Sequence, residues 1–170
     1  MRAPSPEREI IEEKMFEDAL GVIRAEIEHI NKWSRANERD ARSDLIKYWI
    51  LKLIAVVGTL CGPLLHSFGY TSSVAFISAV SGMCIAIDGL YPRGRLFNVH
   101  KRAANDLRHL QDWATTHVNG IVTFRQRKRK SEILQRLEEL LLEIQAAKTK
   151  ISRNITDAEA NVGETRTHAK

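Results

Sequence analysis

The centre of this sequence lacks charge. From Leu53 to Ile87 there is no Asp, Glu, Lys or Arg, although these residues make up 28% of the whole chain. Every formal charge therefore lies in the two flanks, and a soluble domain of this length rarely keeps charge out of so long a stretch. The absence argues against an ordinary water-soluble domain and predicts an all-α membrane protein.

Cysteine is scarce, and both cysteines, Cys61 and Cys84, lie inside the uncharged stretch. Thiols in such surroundings behave as small apolar residues, so the sequence indicates neither a disulfide framework nor a metal site. The motifs HExxH and GxSxG and a Gly-rich phosphate loop are also missing. We therefore expect a protein that is not an enzyme and that carries no cofactor.

The uncharged stretch is long enough for two short membrane crossings. About 18 residues at ~1.5 Å per residue nearly cover a hydrocarbon core of ~30 Å. We predict a transmembrane hairpin over residues 48–91, with spans of about residues 49–67 and 73–90 and a turn containing Gly and Ser between them. Pro63 is expected to kink the first helix or end it near Gly62.

Basic residues flank the hairpin on one side only. Before the first span they are Arg35, Arg39, Arg42, Lys47 and Lys52, and after the second they are Arg93, Arg95, Lys101 and Arg102. The connecting turn has none. Because cytoplasmic segments carry an excess of Lys and Arg, we expect both termini to be cytoplasmic.

Small residues recur in both spans. Gly58 and Gly62 form a GxxxG pair, and in the second span Gly82 belongs to a stripe of small residues. The other members of that stripe are Ala75, Ala79 and Ala86. Small residues let membrane helices approach closely. The close approach is predicted either within one hairpin or between the chains of an oligomer.

A second stripe in the second span is polar and consists of Ser78, Ser81 and Asp88. The serines either face a pore or bond to their own helix backbone, as serines in membrane helices usually do. Asp88 has a structural interpretation as well, because it could pair with Lys52 at a similar depth on the first span or cap a helix.

The flanking arms have helical apolar stripes. We predict an N-terminal amphipathic arm over residues 1–47, a coiled-coil-like C-terminal arm over residues 92–157 and a disordered tail over residues 158–170. The C-terminal stripe includes Leu134, Leu137, Leu141, Ile144, Lys148, Ile151 and Ile155, after a possible break at Asn119–Gly120. With no second apolar domain, the stripes must pack on each other or on neighbouring chains. We expect a homo-oligomer, with a tetramer as the working number.

The C-terminal flank holds the densest basic run. Its members are Arg125, Arg127, Lys128, Arg129 and Lys130. Past residue 87 the chain has 16 Lys and Arg against 10 Asp and Glu, so the overall charge of +5 originates there. The run is either a solvated or lipid-contacting helix face or a site for nucleotide phosphates. No aromatic residue interleaves it, so base stacking is not indicated within the run.

The order of these parts resembles the SLATT family of small bacterial two-transmembrane effectors. The carrying segments are Lys47-Tyr48-Trp49, the hairpin, Ile87-Asp88-Gly89-Leu90, and a charged helix with Lys101-Arg102-Ala103-Ala104-Asn105-Asp106-Leu107. The resemblance covers roughly residues 10–125 and rests on architecture more than on sharp motifs. The family commonly has a single acid after the alanines, where this chain has Asn105 and Asp106.

The resemblance implies a pore-forming effector of antiviral defence in the bacterial inner membrane. Such proteins are typically encoded with a nucleotidyltransferase or another sensor, whose nucleotide signal gates the pore and so depolarises the membrane and arrests growth. In Hailong-type pairs a DNA oligomer is the signal and holds the effector closed. Two other interpretations remain: a membrane-anchored scaffold or adaptor that recruits a soluble partner, and a holin-like lysis protein.

Overall fold

The structure, a computed structural model, describes residues 6–90, 92–123 and 130–164, with side chains between residues 10 and 161 of those ranges. The described chain consists of four helices and contains no strand. They are α1 (Pro6–Ser67), α2 (Thr71–Leu90), α3 (Arg93–Thr123) and α4 (Lys130–Glu164). Two helical stretches, in α1 and from Thr71 onward, are long and apolar enough to cross a membrane. The all-α prediction is confirmed at this level.

α1 ends at Ser67, the residue at which the first predicted span also ends. The helix continues through Pro63, so the alternative that Pro63 ends it near Gly62 does not hold. A proline removes one backbone hydrogen bond and crowds the carbonyl four residues earlier. Pro63 lies about one turn before the helix ends, so only a short piece of helix depends on the disrupted turn.

Two other helices run further than the local breakers and composition indicated. α3 continues through the possible break at Asn119 and Gly120 to Thr123, because Val118 and Ile121 on either side of it pack into a core. α4 continues to Glu164, so residues 158–164 of the predicted disordered tail are helical. The alanines of this segment favour a helix, and propensity outweighs its lack of large apolar residues.

The chain divides into two compact units. The bundle unit comprises residues 1–36 and 103–154, and the apolar unit comprises residues 37–102 and 155–170. Both predicted arms are therefore shared between the units, since the stretches of α1 and α3 next to the predicted hairpin belong to the apolar unit.

The core of the bundle unit is built by three helices that contribute four buried residues each. These are Phe16, Leu20, Ile23 and Ile30 from α1, Leu107, Leu110, Ala114 and Val118 from α3, and Ile133, Leu137, Leu140 and Ile144 from α4. The α4 stripe is shifted by one residue from the predicted one at two places. Ile133 and Leu140 are buried, whereas Leu134 and Leu141 are only partly buried.

The arms' apolar stripes therefore bury each other inside one chain. A half-buried ion pair in the same unit supports this packing, with Lys148 Nζ 2.6 Å from Glu26 Oε2. Ser34 donates a buried hydrogen bond of 3.0 Å to the carbonyl of Ala104. Because the stripes are already covered, unburied arm surface is no longer a reason to predict an oligomer.

A tight turn in the apolar unit connects α1 to α2. Gly69 has φ of 82°, which is the left-handed conformation that glycine adopts most readily. Its N–H donates to the carbonyl of His66, and the N–H of Tyr70 donates to the carbonyl of Leu65, both at 3.0 Å. These two bonds form a Schellman motif, which satisfies carbonyls at the end of α1.

The buried face of α1 keeps one heptad spacing through both units. In the bundle unit it consists of Phe16, Leu20, Ile23, Ile27, Ile30 and Ser34, and in the apolar unit of Asn37, Ala41, Asp44, Tyr48, Leu51, Ala55, Gly58, Gly62 and Leu65. The steps alternate between four and three residues, as in a coiled-coil seam. We call this face the α1 seam.

Candidate functional site

The apolar unit exposes an unusual amount of apolar surface. Leu60, Phe76 and Met83 are 66%, 71% and 65% exposed, and they lie among many similarly exposed aliphatic side chains. Little of either apolar stretch is buried inside the chain. An uninterrupted apolar surface of this kind is typical of a surface that meets lipid or another protein rather than water.

α1 and α2 approach most closely at Gly58. A Cβ atom added at Gly58 would overlap the hydroxyl of Ser81 and lie 3.1 Å from Ser81 Cβ and 3.4 Å from Ile77 Cγ2. A larger residue at this position requires the Ser81 side chain or α2 to move. The backbones meet there because the α1 seam presents no side chain.

Ser81 is buried at this contact. Its hydroxyl is shielded from solvent and makes no hydrogen bond with any residue that the structure describes. On α1 the hydroxyl of Thr59, in contrast, donates to the carbonyl of Ala55. Ser81 therefore lies between the two helices of one chain, which is the packing alternative for this residue, and its hydroxyl is unusual in having no described partner.

The other predicted packing residues fall into two groups. Gly62 is buried on the α1 seam together with Gly58. Ser78 and Gly82 are exposed on α2. So are the remaining members of the small-residue stripe, Ala75, Ala79 and Ala86. The contact between α1 and α2 therefore leaves this stripe of small residues uncovered.

Asp88 forms an ion pair with Lys52, with 3.1 Å between the ammonium and Oδ2. This is the pairing that antiparallel spans of similar length predict. The same ammonium lies 5.6 Å from the centre of the Tyr48 ring, and Tyr48 packs edge-on against Trp49. The charges at this end of the apolar stretch are thus neutralised and bordered by aromatic rings, an arrangement typical of a membrane interface.

A buried polar cluster around Asp44 was missed by the sequence analysis. Arg93 Nη1 donates to Asp44 Oδ1 at 2.9 Å, and His100 Nε2 lies 3.6 Å from Asp44 Oδ2. The His100 ring also lies 3.4 Å from Asn37 Oδ1 and 3.9 Å from a carboxylate oxygen of Glu159. Asn37 and Asp44 occupy seam positions of α1, and polar residues at those positions were the signal that could have revealed the cluster.

Most of the predicted nucleotide site lies outside the described residues. Arg125, Arg127, Lys128 and Arg129 fall in the gap between α3 and α4. Lys130 is described, and it is the half-buried first residue of α4. Among the described residues there is also no cluster of three or more side chains that could hold a metal ion.

The bundle unit contains a groove between α3 and α4, with a volume of about 390 Å³. Ile121, Ile133 and Leu140 supply apolar lining, while His117, Gly120 and Glu143 also line it. We call this feature the α3–α4 groove. It lies beside the two helix ends between which the basic run occurs in the sequence.

Comparison with known proteins adds nothing to this description. No protein-family model, no curated protein and no solved structure matches the chain. The functional argument therefore depends on the residues and contacts described above.

Proposed function

We propose that the protein is a homo-oligomeric membrane pore whose opening is controlled by a nucleotide or oligonucleotide. The C-terminal part of α1 and α2 form the transmembrane hairpin, and both termini are cytoplasmic. Opening depolarises the membrane and arrests growth, as the resemblance to SLATT effectors implies for antiviral defence. A nucleotidyltransferase is the expected source of the signal.

One observation carries the membrane part of this proposal: the apolar unit exposes large apolar side chains along two charge-free helical segments. In water, each exposed aliphatic side chain forgoes roughly 1.5–3 kcal/mol of burial free energy. In lipid the same surface is solvated. Lys52 and Asp88 neutralise each other where the charge-free segments end, which reduces the cost of placing them near the interface.

The exposed stripe of small residues on α2 supports the oligomer. Ala75, Ala79, Gly82 and Ala86 present no large side chains, and none of the four described helices covers them. Membrane helices associate through such surfaces because their backbones can come close together. A second copy of the chain is the occupant that we propose, and Ser78 lies beside the stripe at the edge of the resulting contact.

The basic run supports nucleotide control. Arg125, Arg127, Lys128, Arg129 and Lys130 would contact phosphates, and symmetry would repeat this charge around the axis of an oligomer. The direction of gating is left to experiment, since basic side chains can hold a ligand in either the open or the closed state.

The decisive experiment is ion flux from liposomes that contain the purified protein, with and without oligonucleotides. We expect flux that the oligonucleotide switches on or off. The triple variant Arg127→Ala, Lys128→Ala, Arg129→Ala should lose the response while keeping the ligand-free flux. A matched control removes three exposed basic residues of the bundle unit, Arg24, Lys150 and Arg153, and should respond as the wild type does.

Liposomes that stay silent under all conditions, although the oligomer is intact, would contradict the pore. That result would favour a membrane-anchored adaptor. One observation supports this second function: the bundle unit has a three-helix core whose buried residues all come from one chain. Co-purification of a soluble partner through the bundle unit would then be expected. The holin-like alternative predicts flux that no oligonucleotide alters.

A further inference from the structure

The α3–α4 groove combines features that a phosphate site does not need. Its apolar lining comes from Ile121, Ile133 and Leu140, which also belong to the bundle core or pack against it. A volume of about 390 Å³ falls within the usual ~300–1,000 Å³ of small-molecule sites. Arg136 also lines the groove together with two carboxylates, so its charge is mixed, and the apolar part of the lining suits a flat ring.

His117 provides a fixed ring at the groove. Its Nδ1 lies 2.9 Å from the carbonyl of Trp113 and must donate to it, because a carbonyl can only accept. The imidazole also packs on the Trp113 indole, with 4.4 Å between the ring centres. A ring held from two sides loses little freedom when a base stacks on it.

Two carboxylates line the groove, and they have different surroundings. Glu139 is engaged, since Gln135 donates to Oε1 at 3.0 Å and Arg136 lies 3.7 Å from Oε2. Glu143, one turn further along α4, is exposed at the groove and forms no ion pair with any residue in the described ranges. Its two carboxylate oxygens can accept hydrogen bonds from a ligand.

We propose that the α3–α4 groove binds a guanine base, with Glu143 accepting hydrogen bonds from the Watson–Crick edge and His117 contacting the ring. This inference rests on the proposed function and names the base of the controlling nucleotide. Guanine presents two adjacent donors on that edge, N1–H and the N2 amino group, which match the two oxygens of a carboxylate. Adenine and cytosine present an acceptor beside a single amino group, and that acceptor repels the carboxylate.

Binding of GMP, IMP and AMP to the full-length protein in detergent, measured by calorimetry, tests the inference. The three ligands share the phosphate, so a basic site contributes equally to each. We expect GMP to bind at least about tenfold more tightly than AMP, as for a good bidentate contact. IMP, which lacks the N2 amino group, should be intermediate.

Two substitutions locate the site. Glu143→Gln should weaken GMP binding about tenfold and leave AMP binding unchanged, while Glu138→Gln, an exposed carboxylate outside the groove, serves as the control. Gly120→Phe should fill the groove and abolish the preference among bases. A Cβ atom at Gly120 meets no neighbour within 4 Å, so the helix tolerates substitution, and Gly120→Ala should bind as the wild type does.

Equal affinity for GMP and AMP, no binding of either, or wild-type GMP binding by Glu143→Gln overturns the guanine site. The outcome is separable from that of the pore. If Gly120→Phe and Glu143→Gln leave a nucleotide-controlled flux unchanged, the guanine site is rejected and the pore proposal stands. GMP binding with the expected preference, in liposomes that never conduct, keeps the groove and rejects the pore.

Discussion

The two parts of the α1 seam differ in the size of the side chains that pack against other helices. Those side chains are large in the bundle unit, whereas the closest contact in the apolar unit is made at a glycine. In the bundle unit the seam is filled by Phe16, Leu20, Ile23 and Ile30, which are almost fully buried against two other helices. In the apolar unit the same heptad positions hold Ala55, Gly58 and Gly62 between Leu51 and Leu65, and most of the large apolar residues lie outside the seam and are exposed. In water, burying large side chains is what drives helices together. In lipid that driving force is absent, and close backbone contact replaces it.

The largest expected change in stability distinguishes a buried leucine of the bundle unit from an exposed leucine of the apolar unit. Leu137→Ala removes a side chain that is 1% exposed in the bundle core and should lower the free energy of unfolding by about 2–5 kcal/mol. Leu64→Ala is the matched control, since Leu64 is 61% exposed and leaves no cavity. Thermal unfolding in detergent, followed by circular dichroism, measures both. Equal losses would contradict the contrast between the two parts of the seam.

The next largest loss of stability is expected around Asp44, one of the buried polar residues in the middle of the α1 seam. Arg93→Ala leaves the buried carboxylate of Asp44 without its shortest contact and should cost about 1–3 kcal/mol. Arg42→Ala breaks an exposed pair with Glu38 and should change stability by less than about 0.5 kcal/mol.

The Asp44 interpretation can be tested further with a double substitution. Adding Asp44→Asn to Arg93→Ala removes the unpaired charge, so the double variant should lose less stability than the sum of its single changes. Additive losses would show that the two side chains do not act as a pair.

An effect of similar size is expected at the close contact between α1 and α2. Gly58→Ala forces the Ser81 side chain or α2 to move and should destabilise by about 1–3 kcal/mol. Gly62→Ala is the control, because a Cβ atom there meets no neighbour within 4 Å. Ser81→Ala should be neutral or stabilising, since it deletes a buried hydroxyl without a described partner, and it should partly rescue Gly58→Ala. Equal losses for both glycine variants would contradict the contact.

The smallest effect concerns an exposed pair in the bundle unit. A hydrogen bond from Lys32 and its charge lower the pKa of Glu28 below its ordinary value of 4.5. A carboxyl with a lowered pKa stabilises the fold above its ordinary pKa, and this contribution disappears as pH falls through the lowered pKa. Lys32→Ala should return the pKa towards 4.5, measured by NMR titration, without a detectable change in melting temperature at neutral pH.

Sequence reasoning succeeded where a pattern is local and repeated. The charge-free stretch, the helical arms and the pairing of Lys52 with Asp88 all follow from spacing and length. Packing decided a point that the sequence left open: α3 continues through the possible break at Gly120 because its neighbours are held in a core. Sequence reasoning failed for the register of α4, since Leu134 and Leu141 are as apolar as the adjacent Ile133 and Leu140 that are buried.

The candidate site was less accessible to sequence reasoning than the fold. The basic run can be seen in the sequence itself. The α3–α4 groove cannot, because residues such as Gly120 and Glu143 line it from two helices that are separated in sequence. Likewise, Asp44 reads as one acid among many in a charged arm. Its burial follows only when the heptad of the bundle unit is extended along α1 as far as Asp44.

The three-residue turn between α1 and α2 has a consequence for biosynthesis. Residues 68–70 are all that separates Ser67 from Thr71, and a Schellman motif fixes their path. A link this short ties the position of one proposed span closely to that of the other. On the proposed topology we therefore expect the two spans to enter the bilayer together, as one hairpin.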